Sequence, residues 1–208
     1  PKQPKSNLAS MGIYIFSADK LYKYLELDEE DPDSENDFGK NVLPAMLNAG
    51  EKMYSYRFEG YWKDVGTISS LWEANMDLLG DVPKFDLRDT ERVIHSRSPL
   101  APPAYVEGKV VNSMIANGCD IEGTVINSVV GTNCVIEKGA EVKDCVLMGN
   151  TVVKAGAKVN YSIIDEDVTI GKKAVIGDVI EKASLVESKT SGIAVLGIDY
   201  YRLGEITA

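Results

Sequence analysis

Positive charge, paired cysteines and long apolar runs are all scarce in this 208-residue sequence, and each shortage removes a class of function. Lysine and arginine number 22 against 32 aspartates and glutamates, a net charge of −10. Sequence-independent binding to a phosphate backbone needs clustered basic residues, so a general nucleic-acid binder is excluded. Anionic small substrates stay open where a metal ion or a local lysine offsets the field. The three cysteines, Cys119, Cys134 and Cys145, cannot all pair within one chain, and none has C-x-x-C spacing. Reduced thiols in the cytoplasm are the expected state. No apolar run approaches the roughly 18 residues of a membrane span, and no signal peptide is visible. The only histidine, His95, has no evident partner that would make it a base. An initiator methionine is missing too: the sequence opens Pro-Lys-Gln-Pro, as expected of a piece of a longer protein.

With 44% hydrophobic residues the chain can pack one large or two modest domains. The first ninety residues read as mixed α/β. "MGIYIF" (11–16) predicts a buried strand, and Ser17 then caps a helix with Leu21 and Leu25 on one face. The acidic stretch from Asp28 to Asn36 reads as a surface loop. "DFGKNVLPAMLNAG" (37–50) predicts a second helix, weakened by Pro44, with Val42, Leu43, Met46 and Leu47 apolar and Gly50 as its stop. Thr67 caps a third, carrying Leu71, Trp72, Asn75 and Leu78 at helical spacing. "PLAPP" (99–103) looks like a boundary.

Beyond that boundary the period changes. Residues 112–177 tile without gaps into coils of fifteen, seventeen, seventeen and seventeen residues. Three columns of matched positions emerge: Ile115, Val130, Leu147 and Ile164; Ile121, Ile136, Val153 and Ile170; Val125, Val142, Val159 and Ile176. All are Ile, Val or Leu, which make up roughly a quarter of the chain, so an accidental match is of order 10⁻⁷ before allowing for register choice. Within the long coils the aliphatics fall six, six and five apart, the hexapeptide spacing of three short strands per turn. A β-sandwich also alternates, but it has no reason to keep a fixed coil length.

The remaining motifs decide what such a solenoid serves. "SNLASMGIYIF", "DFGK" and "GYWKDVGTISSLWEANMDLL", in that order and followed by hexapeptide coils, strongly resemble the ADP-glucose pyrophosphorylase family, the glucose-1-phosphate adenylyltransferases. The resemblance covers nearly all 208 residues. It implies an α/β remnant of a Rossmann-like nucleotidyltransferase domain (1–90), a linker (91–105) and a left-handed parallel β-helix with a C-terminal tail (106–208). The implied reaction joins ATP and glucose 1-phosphate into ADP-glucose and pyrophosphate, toward glycogen. Ser10, Tyr14, Asp37, Phe38, Trp62 and Asp64 would then surround glucose 1-phosphate, since aromatic faces with hydroxyl and carboxylate partners suit a sugar ring. Asp64 would also be catalytic, as one ligand of the Mg²⁺ that offsets the charge of two anionic substrates. The family further implies a homotetramer, or a hetero-oligomer with a related subunit.

Each residue also has a plainer reading: Tyr14 and Phe38 as core aromatics, Asp37 as a helix cap, Ser10 and Asp64 as surface groups. The family's glycine-rich phosphate loop has no match here, so this chain alone is expected to be inactive. Pro1 falls at the proline of the family's Glu-Lys-Pro motif, whose lysine is therefore not Lys2. Ile198 stands about where plant and enteric relatives carry a basic residue for a phosphorylated effector, so that control is not carried over. Two alternatives differ in class. A non-catalytic regulatory or assembly subunit tends to lose the catalytic aspartate, whereas Asp64 is present. A hexapeptide acyltransferase uses a histidine lodged between coils, whereas His95 precedes them.

Overall fold

The computed structural model describes residues 6–96 and 99–177 and, for 194–196, the backbone. Pro1, Lys2 and Ile198 lie outside the described residues. The chain divides into two compact units, residues 1–59 and 60–208.

In the first unit, α1 (Ala18–Glu29) starts after Ser17, whose extended backbone makes it the N-cap although its hydroxyl makes no capping bond. A single π-helical turn (Phe38–Val42) runs straight into α2 (Leu43–Asn48), where Pro44 is tolerated because the first turn has no intrahelical use for its N–H. Gly50, at φ +73°, follows the end of α2. Tyr24, Val42 and Met46 form the small core, with Phe16 packed against it. Leu25 and Leu47, expected to be apolar anchors, are exposed, and Tyr24 supplies the buried face of α1 instead. Its hydroxyl donates to Glu51 Oε1 (3.1 Å), which also pairs with Lys20 Nζ (2.7 Å).

The strand expected over 11–16 does not form. The segment is irregular, with Ile13 74% and Ile15 99% exposed. A strand exists only through its ladder, and no other strand occurs among the described residues of this unit.

The second unit opens with a segment outside helix and strand and α3 (Ile68–Met76), then winds into a parallel β-solenoid. One sheet stacks β1 (Tyr105–Val106), β4 (Asp120–Ile121), β7 (Val135–Ile136), β10 (Val152–Val153) and β13 (Thr169–Ile170). A second stacks β2 (Lys109–Val111), β5 (Thr124–Ile126), β8 (Glu141–Lys143), β11 (Lys158–Asn160) and β14 (Val175–Ile176). The third stacks β3 (Met114–Ile115), β6 (Val129–Val130), β9 (Val146–Leu147), β12 (Ser162–Ile164) and β15 (Ala194–Leu196). The register matches the three sequence columns residue for residue: Ile121 sits beside Ile136, Val125 beside Val142, Val130 beside Leu147. Ten of the twelve column positions are buried to within 1% exposure, and Ile115 and Ile176 at the two ends are partly buried. The winding begins earlier than the sequence columns do, with β1 and β2. At Gly108, just before β2, an added Cβ would lie 1.9 Å from Gly123 O, so only glycine lets these two coils approach.

The corners follow a rule of their own. At one corner Asn112, Asn127, Asp144 and Tyr161 all have positive φ (45°, 48°, 53° and 44°); at another Asn133, Asn150 and Asp167 do (58°, 59° and 60°). Asn and Asp tolerate this left-handed conformation better than other residues with a Cβ. Here they also stack: Asn112 Nδ2 donates to Asn127 Oδ1 (2.7 Å), which passes the pattern to Asp144 (2.6 Å), and Asn150 donates to Asp167 (2.9 Å). Small residues line the inner side of the corners. Cys145 takes its place in a column with Ser128 and Ser162, Cys134 in one with Cys119 and Thr151. All three thiols are free, buried and hydrogen-bonded to carbonyls, and burial pushes the Cys145 thiol up to about 12. These thiols are packing groups.

Helix α3 lies on the outer face of the third sheet. Ile68, Leu71, Trp72 and Met76 cover Val146 and Ile163, which are 4% exposed although they point away from the solenoid core. Trp72 Nε1 donates to Asp144 O (2.8 Å), and its ring meets Tyr161 edge-on at 4.7 Å. Asn75, expected on this face, instead turns its amide back to Leu71 O (2.9 Å).

Candidate functional site

The six candidate residues divide between the two units. In the first, Ser10 Oγ and Tyr14 OH share a hydrogen bond (3.0 Å), and Ser10 Oγ also accepts from Gly12 N (3.2 Å). The Tyr14 ring stacks on Phe38 at 5.9 Å and 23°, and Phe16 completes an aromatic trio at 6.0 and 5.8 Å. Tyr14 and Phe38 each remain 37% exposed, so neither is a sealed core aromatic. Asp37 Oδ1 caps the π turn by accepting from Lys40 N (2.8 Å). The four residues singled out here are therefore brought together: two ring faces, two hydroxyls and a carboxylate that holds a turn. That is a chemistry suited to a polyhydroxylated ring.

In the second unit, residues 61–64 alternate in burial. Tyr61 and Lys63 are half-buried, Trp62 (45%) and Asp64 are exposed. The two less exposed residues, Tyr61 and Lys63, are the anchored ones. Tyr61 OH donates to Asp77 Oδ2 (3.1 Å), and Lys63 Nζ reaches both Asp77 Oδ2 (3.2 Å) and Glu73 Oε2 (2.9 Å). Lys84 Nζ closes on Asp77 Oδ1 at 2.7 Å, and the Tyr61 ring packs near Phe85 at 5.8 Å. Asp64 Oδ1 accepts from Gly66 N (3.0 Å), a turn that delivers the chain to Thr67. Thr67 and Ser70 then form a reciprocal capping box, which sets the start of α3. The Tyr61, Lys63 and Asp77 contacts escaped the sequence reading. No period in the sequence marks them, since Asp77 lies sixteen and fourteen residues from Tyr61 and Lys63.

Hydrogen bonds from Lys84, then Lys63 and Tyr61, hold the Asp77 carboxyl below its usual 3.8 against the opposing effect of burial. Lys63 is raised above 10.5, first by Glu73, and Tyr61 above 10.0, first by burial. A depressed carboxyl contributes stability that is present above its unfolded pKa of 3.8 and is lost as pH falls through the lower folded value. A raised lysine contributes stability below its unfolded pKa of 10.5, lost as pH rises through the folded one. Asp77→Asn should therefore flatten the acid limb of the stability curve. Thermal melts of both proteins from about pH 6 to about pH 3 check this, and parallel curves would refute it.

Among the described residues no group of three or more His, Cys, Asp or Glu side chains is placed to hold a metal ion. A carboxylate such as Asp64 offers the hard oxygen that Mg²⁺ prefers, and that ion commonly takes only one or two protein carboxylates and draws other ligands from substrate phosphates and water. His95 is exposed and precedes the first coil, so none of the described coils contains a histidine. A cleft of about 1310 Å³ in this unit lies elsewhere, lined by Leu78, Arg88, Asn112, Asn133 and Asn150 among others but by neither Trp62 nor Asp64. No helix among the described residues is long and apolar enough to cross a membrane.

Two family models match successive parts of the chain. Residues 1–80 match a nucleotidyl transferase family model, and residues 102–196 match the GlmU-like C-terminal hexapeptide model. The chain is 42% identical over 201 residues to a glucose-1-phosphate adenylyltransferase of Acetivibrio thermocellus, covering 95% of this chain and 47% of that protein. It is 46% identical over 180 residues to one of Desulforamulus reducens, covering 86% of this chain and 44% of that protein, and 48% identical over 180 residues to one of Bacillus thuringiensis, covering 86% and 46%. The chain thus spans about half the length of the curated relatives it matches.

Proposed function

We infer that this chain belongs to the glucose-1-phosphate adenylyltransferases and forms the part of such an enzyme that receives the sugar phosphate and carries the solenoid. The observation that carries the reading is the 42–48% identity over 86–95% of the chain to proteins of that name. The proposed reaction is ATP plus glucose 1-phosphate giving ADP-glucose and pyrophosphate, within glycogen synthesis in the cytoplasm. Residues 1–90 are taken as the contribution to the catalytic domain, with 91–105 as the linker and 106–208 as the solenoid with its tail. The working form is proposed to be a homotetramer or a hetero-oligomer with a related subunit.

Ser10, Tyr14, Asp37 and Phe38 in the first unit, and Trp62 and Asp64 in the second, are the proposed contacts to glucose 1-phosphate. Ring faces bind the apolar faces of the sugar, while hydroxyls and carboxylates orient its hydroxyl groups. Orientation matters most, because the sugar phosphate must meet the α-phosphorus of ATP in line and no covalent protein intermediate is required. When bound, Mg²⁺ would neutralise phosphate charge, and Asp64 is the residue proposed to hold it.

Trp62→Ala tests the reading in the full-length protein. Removing an exposed ring that binds sugar should raise the KM for glucose 1-phosphate about tenfold, while the KM for ATP stays within about twofold. Equal rises for both substrates, or none, would contradict the assignment of Trp62 to the sugar.

A further inference from the structure

We propose that Asp77 is a positioning residue: it holds the buried side of residues 61–64 so that Trp62 and Asp64 are presented on the other. This rests on the sugar-phosphate reading above and names the device behind it. Asp77 accepts from Tyr61, Lys63 and Lys84 at 3.1, 3.2 and 2.7 Å, and its side chain is only 11% exposed. The first two donors are the alternate residues of the segment, and the residues between them, Trp62 and Asp64, are the exposed ones. With both neighbours of Trp62 tied to one carboxylate, a rotation of the backbone that carried the ring inward would break two hydrogen bonds.

Asp77 is also the C-cap of α3, where the exposed carbonyls make a negative charge unfavourable. A carboxylate placed against its own helix end is explained by its cross-chain contacts and not by helix stability. Lys84 N donates to Asp77 O (2.9 Å), so the chain after α3 is tied to the same residue from both main chain and side chain. Helix α3 is in turn fixed on the solenoid through Trp72 and its apolar neighbours. The line of support runs from coil, to helix, to Asp77, to the presenting segment, all within one compact unit.

The test uses the full-length protein labelled with 5-fluorotryptophan, the Trp62 resonance being assigned with Trp62→Phe. In Asp77→Ala the Trp62 signal should shift and narrow toward that of a mobile ring while the Trp72 signal stays in place, and the KM for glucose 1-phosphate should rise about tenfold with the KM for ATP within about twofold. Val153→Ala, in the buried column of a sheet that α3 does not cover, serves as the control for general destabilisation and should leave the Trp62 signal and both KM values near wild type. Asp77→Glu, which keeps the charge, should recover part of the loss. An unchanged Trp62 signal in Asp77→Ala overturns the proposal. So does a changed signal with an unchanged KM for glucose 1-phosphate, or a Val153→Ala protein that matches Asp77→Ala in both readouts. If the wild-type protein does not use glucose 1-phosphate at all, the functional reading fails and the proposal with it; the Trp62 signal then shows separately whether the anchor exists.

Discussion

Asp64→Asn in the full-length protein should lower turnover by roughly 10² to 10⁴, about 3 to 5 kcal/mol of transition-state stabilisation, with the fold intact. The side chain is exposed, and among its described contacts only Gly66 N engages it, through Oδ1 at 3.0 Å. Asparagine keeps an oxygen for that turn, so the capping box of Thr67 and Ser70 should survive and circular dichroism should be unchanged. What is lost is the charge offered to a divalent ion between two anionic substrates. A solvated surface aspartate predicts less than about a twofold change. Steady-state kinetics across a Mg²⁺ titration separate the two, and near-normal turnover at every Mg²⁺ concentration would remove Asp64 from the chemistry.

Ile136→Ala should destabilise the second unit by about 3 to 4 kcal/mol, because a buried side chain loses both its transfer energy and its neighbours' contacts. Ile136 is fully buried and lies in register between Ile121 and Val153, so the cavity opens in the middle of a stack that cannot collapse without shifting two coils. Ile176, at the last strand of its sheet and only partly buried, should cost less than half as much when truncated to alanine. In a solenoid each coil is stabilised by its neighbours, so the central substitution should also broaden the transition. Chemical denaturation of the two variants measures the difference. Equal losses would mean that the coils do not form the cooperative stack their register describes.

The solenoid was legible because parallel register returns the same environment every coil, and the sequence answers with the same residue class: Ile121, Ile136, Val153, Ile170. The corners were written just as plainly in Asn112, Asn127 and Asp144, the first residues of successive coils, but their positive φ is a backbone requirement that hydrophobic spacing does not reveal. Periodicity also placed α3 and its Thr67 cap. It failed at 11–16, since an apolar run signals a strand only where partners exist to pair with it. It failed again at Leu25, where Tyr24 carries both the apolar surface and a hydroxyl that reaches Glu51. The candidate residues were found through motif resemblance, and the structure adds their local neighbours. Asp77 left no such trace, because bonds to Tyr61 and Lys63 sixteen and fourteen residues away follow no period.

The most direct test is product formation by the full-length protein supplied with ATP, glucose 1-phosphate and Mg²⁺, with ADP-glucose and pyrophosphate quantified together. Equimolar accumulation of the two, lost in Asp64→Asn, is the predicted result. A folded full-length protein that releases neither product from these substrates would contradict the assignment.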